Sequence, residues 1–162
     1  MLQHLYLVRH AHALDDAPSD ELRPLSPKGH KQCARLVKGF SKNRLIQVDT
    51  IWQSGLVRAY ETAEALATGL ELDAQLTQKD GLAPFDNPIA IATQLNELSL
   101  SCLVAGHEPN MSYLASLLLT GNGDFQRVVF PKASILCLSR MKVGSQSTDW
   151  QIEWHLSHKH FK

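Results

Sequence analysis

The opening stretch LVRHAHA sets Arg9, His10 and His12 directly behind a short apolar run. A guanidinium matches phosphate oxygens with a planar fork, and a neutral imidazole keeps a lone pair that can attack phosphorus. Two later stretches carry the same chemistry. SGLVRAYETA supplies Ser54 and Arg58, and VAGHEPNMS supplies His107. Gathered around one dianion, the two arginines would neutralise the oxygens of a phosphoryl group while one of the two imidazoles, kept neutral, attacked it. The chain has no GxxxxGK[ST] loop and no acid cluster placed to hold magnesium, which argues against nucleotide-dependent transfer. The pair His10-x-His12 has metal-ligand character, but Arg9 and Arg58 would repel a cation there. No metal and no other cofactor is expected.

For these residues to meet, three strands must end side by side. Apolar runs of strand length alternate with segments of helical period, the pattern of an α/β fold. Residues 5–8, 48–53 and 102–105 read as buried strands that stop at Arg9-His10, Ser54 and Gly106-His107. In open α/β sheets ligands bind beyond such carboxyl ends. Ser26-Pro27 reads as a cap and first helical residue. Ser54 reads as the cap of a second helix, with Val57, Tyr60 or Glu61, Ala63, Leu66 and Ala67 facing inward. Pro88 opens a third helix with Ile89, Ile91, Ala92, Leu95 and Leu98 inward, and Pro109 a fourth that stops at Gly121. Residues 70–87 show no period and read mostly as loop. Residues 134–139 and 150–156 read as a terminal hairpin joined through 144–148. The expected fold is a single-domain three-layer α/β/α sandwich with a mostly parallel central sheet, one domain over residues 1–162.

Composition removes several classes. The 162 residues carry sixteen basic and sixteen acidic side chains, so no net field draws the chain to nucleic acid or to a membrane surface. No apolar run approaches the roughly 18 residues of a membrane span. Cys33, Cys102 and Cys137 are odd in number and set in apolar context, which reads as buried thiols in a reducing, cytoplasmic setting. Trp52, Trp150 and Trp154 read as packing residues, and His155, His158 and His160 as solvated side chains of a terminal segment.

LVRHAHA resembles the RHG motif of the histidine phosphatase (phosphoglycerate mutase-like) superfamily. SGLVRAYETA is similar to its SPxxRAxQTA segment, and VAGHEPNMS to its second-histidine segment. Their order and spacing, RPLS after the first loop and FPKASILCLS near the end resemble the SixA-type phosphohistidine phosphatases over nearly the whole chain. The resemblance implies a phosphoglycerate mutase-like fold and His10 as nucleophile. Arg9, Arg58 and His107 would hold the phosphoryl group, with Arg23 of RPLS at the mouth and Ser54 beside it. Ala11 stands where the motif has glycine, Gly55 where it has proline and Glu61 where it has glutamine.

Larger members of the superfamily use an acid to protonate an alkoxide leaving group. Asp80 and Asp86 lie in the corresponding region, and nothing in KDGLAPFDNP marks either as that acid. A leaving imidazole needs such help less, and general acid catalysis contributes typically about 10²–10⁴-fold. The expected substrate is therefore a phosphohistidine-bearing protein, such as a histidine phosphotransfer domain. A small phosphoester, or a phosphate-binding module without turnover, is the alternative.

Overall fold

The fold, seen in a computed structural model that describes residues 1–161, is built on one mixed sheet. In chain order its strands and helices are β1 (Leu2–Arg9), α1 (Pro27–Ser41), β2 (Thr50–Gln53), α2 (Val57–Gly69), β3 (Leu76–Gln78), α3 (Ile89–Glu97), β4 (Cys102–Gly106), α4 (Asn110–Thr120), β5 (Ser134–Val143), β6 (Gln146–Ser147) and β7 (Gln151–Ser157). The sheet runs β3-β2-β4-β1-β5-β6, with β7 also paired to β5. The β3–β2, β2–β4 and β4–β1 ladders are parallel, whereas β5 runs antiparallel to β1, β6 and β7.

Alternation along each strand feeds two cores. Leu5 and Leu7 of β1, Val104 of β4 and Leu136 of β5 face α3 and α4, where Ile91, Leu95, Met111 and Leu114 are buried. Tyr6, Val8, Leu103, Ala105 and Ile135 face the other way, onto Cys33, Leu36 and Phe40 of α1 and Ala59, Ala63 and Leu66 of α2. This is the expected three-layer arrangement. Cys33, Cys102 and Cys137 are free buried thiols, and Trp52 and Trp150 are buried packing residues. Among the described residues no helix is long and apolar enough to cross a membrane.

Several sequence expectations need correction. β3 lies in the stretch read as loop; it is three residues long, half-exposed and at the sheet edge, too short for a period to register. The inner face of α2 is Arg58, Ala59, Thr62, Ala63 and Leu66, rotated from the expected set, while Tyr60 is exposed. An apolar-pattern reading turns the arginine outward, and here the arginine is buried. On α3, Ile91, Ala92 and Leu95 are buried as expected but Ile89 is exposed. Ser26 caps α1, accepting from Gly29 N at 3.0 Å. Ser54, by contrast, is not the N-cap of α2, which begins three residues later behind Leu56.

Candidate active site

β4 lies between β1 and β2, so Arg9-His10, Ser54 and His107 leave the sheet from three adjacent strands. Backbone bonds fix His10: its N–H donates to Gly106 O at 3.0 Å, and its carbonyl accepts from Ala133 N at 3.2 Å. Ala11 N donates to Thr62 Oγ1 at 3.1 Å, and the Thr62 hydroxyl donates to Arg58 O at 2.7 Å, joining the first motif to α2. Ala11 is fully buried and does not have a positive φ, so the backbone after His10 asks for no glycine.

The His10 ring is buried, and its Nδ1 lies 2.7 Å from Ala11 O. A carbonyl only accepts, so Nδ1 carries the proton and Nε2 keeps the lone pair. Burial is the largest influence on its pKa, and Arg58, Arg9 and Lys132 act the same way; against the Ala11 carbonyl they bring it down to about 4. The ring is neutral at physiological pH.

His107 packs against it with ring centroids 5.0 Å apart. Its Nε2 is 2.6 Å from Ser54 Oγ, which also accepts from Leu56 N at 3.2 Å. The serine proton has Nε2 as its acceptor, which leaves the His107 proton on Nδ1. That Nδ1 is buried and has no hydrogen-bond partner within the protein. Burial first, then His10 and Arg58, lower the His107 pKa to about 2.

Each arginine is partly committed. Arg9 donates through Nη1 to Phe130 O at 2.6 Å, and Arg58 through Nη1 to Asp20 O at 2.8 Å and through Nη2 to Asp20 Oδ2 at 3.2 Å. The Nε groups of both are buried without a protein partner. Three buried donors, Arg9 Nε at the end of β1, Arg58 Nε in the first turn of α2 and His107 Nδ1 just past β4, thus stay unpaired. Both arginines act on the charge of the His10 ring, and His107 packs against it. Unpaired buried donors are costly and uncommon, which marks the cluster as a place for an acceptor.

Arg23 sits at the edge of this group. Its guanidinium donates to Leu14 O, Asp20 Oδ1 and Asp15 Oδ1 at 2.8, 3.1 and 3.0 Å, so it holds the 14–23 loop together. Asp20 bridges Arg23 to Arg58, a role the sequence reading did not assign. Glu108 was also missed; its carboxylate accepts from Ser112 N and Oγ and works against burial in holding the Arg9 charge. Neither acid has a motif of its own, because its partner is set by tertiary approach. Asp86 Oδ2 accepts from Gly81 N and Ala83 N, closing a turn, and Asp86 O accepts from Asn110 Nδ2. Asp80 is exposed.

His12 turns to a separate partner, with Nδ1 2.6 Å from Ser26 Oγ. A group with metal-ligating atoms within 4.8 Å of one another is His4, Cys137 and Glu153, on β1, β5 and β7. There Glu153 accepts from both partners, at 3.3 Å from His4 Nε2 and 3.6 Å from Cys137 Sγ, and burial pushes the thiol pKa up.

The family model for the histidine phosphatase superfamily (branch 1) matches residues 5–87, more than half of the chain. The chain belongs to that superfamily, and with it to the phosphatases. It is 26% identical over 152 residues to the phosphohistidine phosphatase SixA of Escherichia coli, covering 91% of this chain and 92% of that one. An uncharacterized protein of Mycobacterium tuberculosis is 33% identical over 139 residues, covering 81% and 85%. The fold superposes on a structure of the protein histidine phosphatase SixA complexed with tungstate at a TM-score of 0.83, with 23% identity and 98% and 99% coverage. It also superposes on a mycobacterial glucosyl-3-phosphoglycerate phosphatase at a TM-score of 0.67, with 15% identity and 94% and 98% coverage.

Proposed function

We propose that this chain hydrolyses phosphohistidine on a signalling or phosphotransfer protein through a covalent intermediate on His10, the whole of residues 1–162 acting as one domain. The observation that carries this reading is the set of three unpaired buried donors on side chains grouped with a histidine whose proton is on Nδ1. In the first step Nε2 attacks phosphorus in line, a new P–N bond forms, and the bond to the substrate imidazole breaks. Arg9, Arg58 and His107 Nδ1–H take the charge on the equatorial oxygens. In the second step water attacks phospho-His10, releasing inorganic phosphate and restoring the neutral ring. Arg23 contributes at the mouth by positioning Asp20 and, with it, the loop that meets substrate. Ser54 sets the proton of His107.

The choice of phosphohistidine over a phosphoester is supported by the likeness to SixA over most of both chains. It is supported also by Asp80 and Asp86, one exposed and the other spent on a turn, so that neither is positioned as the acid an alkoxide requires. The ester reading has the glucosyl-3-phosphoglycerate phosphatase on its side, a neighbour in fold alone. The deciding measurement compares kcat/KM on a histidine-phosphorylated phosphotransfer protein with that on a sugar phosphate. A clear preference for the ester overturns the assignment. Labelled phosphoenzyme should form in the parent and vanish in His10→Ala, and EDTA should leave the rate unchanged.

A further inference from the structure

Beside the cradle lies a second pocket of about 240 Å³, lined by Lys28, Lys132 and Lys159 together with His12, Gln32 and His158. No carboxylate is among its lining residues. In a chain with balanced charge, three ammonium groups on one small cavity are a local excess. His158 is 9% exposed, and its Nδ1 is buried without a partner in the protein. The sequence reading placed this histidine in solvent; instead it opens a short 3₁₀ turn, residues His158–His160, packed on α1.

Lys132 is the wall shared with the catalytic group. Its neighbour Ala133 has a φ of 53°, a left-handed conformation unusual for a residue with a side chain. The Ala133 peptide is fastened on both sides, donating to His10 O at 3.2 Å and accepting from His158 N at 3.0 Å. Arg9 and Lys28 both act on the Lys132 ammonium, and Lys132 acts on His10. One residue, through its N–H and its carbonyl, therefore joins His10 to His158 of the cationic pocket.

We infer that this pocket receives an acidic side chain of the phosphohistidine-bearing protein, displayed next to the phosphohistidine, so that the enzyme reads a carboxylate together with the phosphoryl group. This rests on the function proposed above. Lysines present compact point charges on flexible stems, which suits a mobile carboxylate, whereas a dedicated second phosphate site would favour an arginine fork, and no arginine lines the pocket. A residue one helical turn from a phosphohistidine lies about 5–6 Å away between Cβ atoms, so the carboxylate and the phosphoryl group are presented on one face of the substrate.

The test uses the double variant Lys28→Gln/Lys159→Gln, which leaves every cradle residue in place. The substrates are two histidine-phosphorylated phosphotransfer proteins that differ only in the acidic residues within one turn of the phosphohistidine, carboxylates in one and amides in the other. The expected result is a KM on the acidic substrate raised about fivefold with kcat unchanged, and parent and variant alike on the amide substrate. Equal KM values of the parent enzyme on the two substrates overturn the inference, as does a loss in the variant that is the same on both. A preference of the parent for a bisphosphorylated over a monophosphorylated sugar, lost in the variant, overturns it in favour of a second phosphate. If the parent hydrolyses neither phosphoprotein but does hydrolyse a sugar phosphate, the proposed function fails and takes this inference with it.

Discussion

The hydroxyl of Ser54 lies 2.6 Å from Nε2 of His107, and through that bond a residue on one strand end decides which nitrogen of a residue on the next carries hydrogen. In the proposed function the proton left on Nδ1 is the one given to a phosphoryl oxygen. Ser54→Ala should lower kcat about tenfold with melting temperature little changed, because the ring stays but its tautomer is released. His107→Ala should cost about 10²–10³-fold, as loss of a transition-state donor does. Unchanged kinetics in Ser54→Ala would refute the role.

The pH dependence of activity follows from the burial of His10. With a pKa near 4 its neutral form, the one the proposed attack requires, persists far below the ordinary histidine value of about 6.5. The acid limb of kcat/KM should therefore lie near pH 4, and a limb near pH 6.5 would contradict the assignment.

Stability should respond over a different window. His10 and His107 both have folded pKa values below the unfolded value, so the unfolded chain takes up protons first. Their contribution is complete above about pH 6.5 and declines as pH falls towards 4, with His107 still unprotonated in the folded state down to about 2. Urea midpoints should drop between pH 7 and pH 4.5, and His10→Gln should flatten that drop.

In the proposed function Asp20 competes for the Arg58 guanidinium that would hold the phosphoryl group. Its Oδ2 stands 3.2 Å from Arg58 Nη2, and Arg23 draws the other oxygen away. Asp20→Asn should tighten inhibition by inorganic phosphate by about two- to fivefold, the size of a partly exposed pair. Arg23→Gln should weaken it, since Asp20 is then free to turn fully to Arg58. Identical inhibition constants in all three proteins would remove this loop from the account.

Gly55 has a φ of 92°, and a Cβ there would meet the Gln78 side chain at 2.4 Å. Proline, the residue the family motif carries, requires φ near −65° and cannot adopt this turn. Gly55→Pro should lower the melting temperature by several degrees, corresponding to more than about 1 kcal/mol, and reduce activity through Ser54. A variant as stable as the parent would mean that the turn rebuilds at little cost.

Legibility in the sequence followed burial. β1, β2 and β4 were readable because strands covered on both faces need unbroken apolar runs. The proposed set, Arg9 and His10 after β1, Arg58 one turn into α2 and His107 after β4, is close in space because those strands are neighbours. The face of α2 was misread for the reason that makes it useful: Arg58 is turned inward, at 4% exposure, against its own hydropathy. Ser54 was read as a cap because a serine after a strand commonly is one; only the approach of β4 supplies His107 as its partner. The surroundings of His158, Asp20 and Glu108 were not readable, since each owes them to segments far away in the chain.

The placement of β4 has a consequence for how the enzyme comes into being. The strand that arrives last of the central three slots into the middle, between two that are already made. Until β4 is seated there, β1 and β2 do not touch, and the arginine-histidine pair has nothing to align it with the distant arginine. Activity regained during refolding should therefore never precede the seating of that one strand.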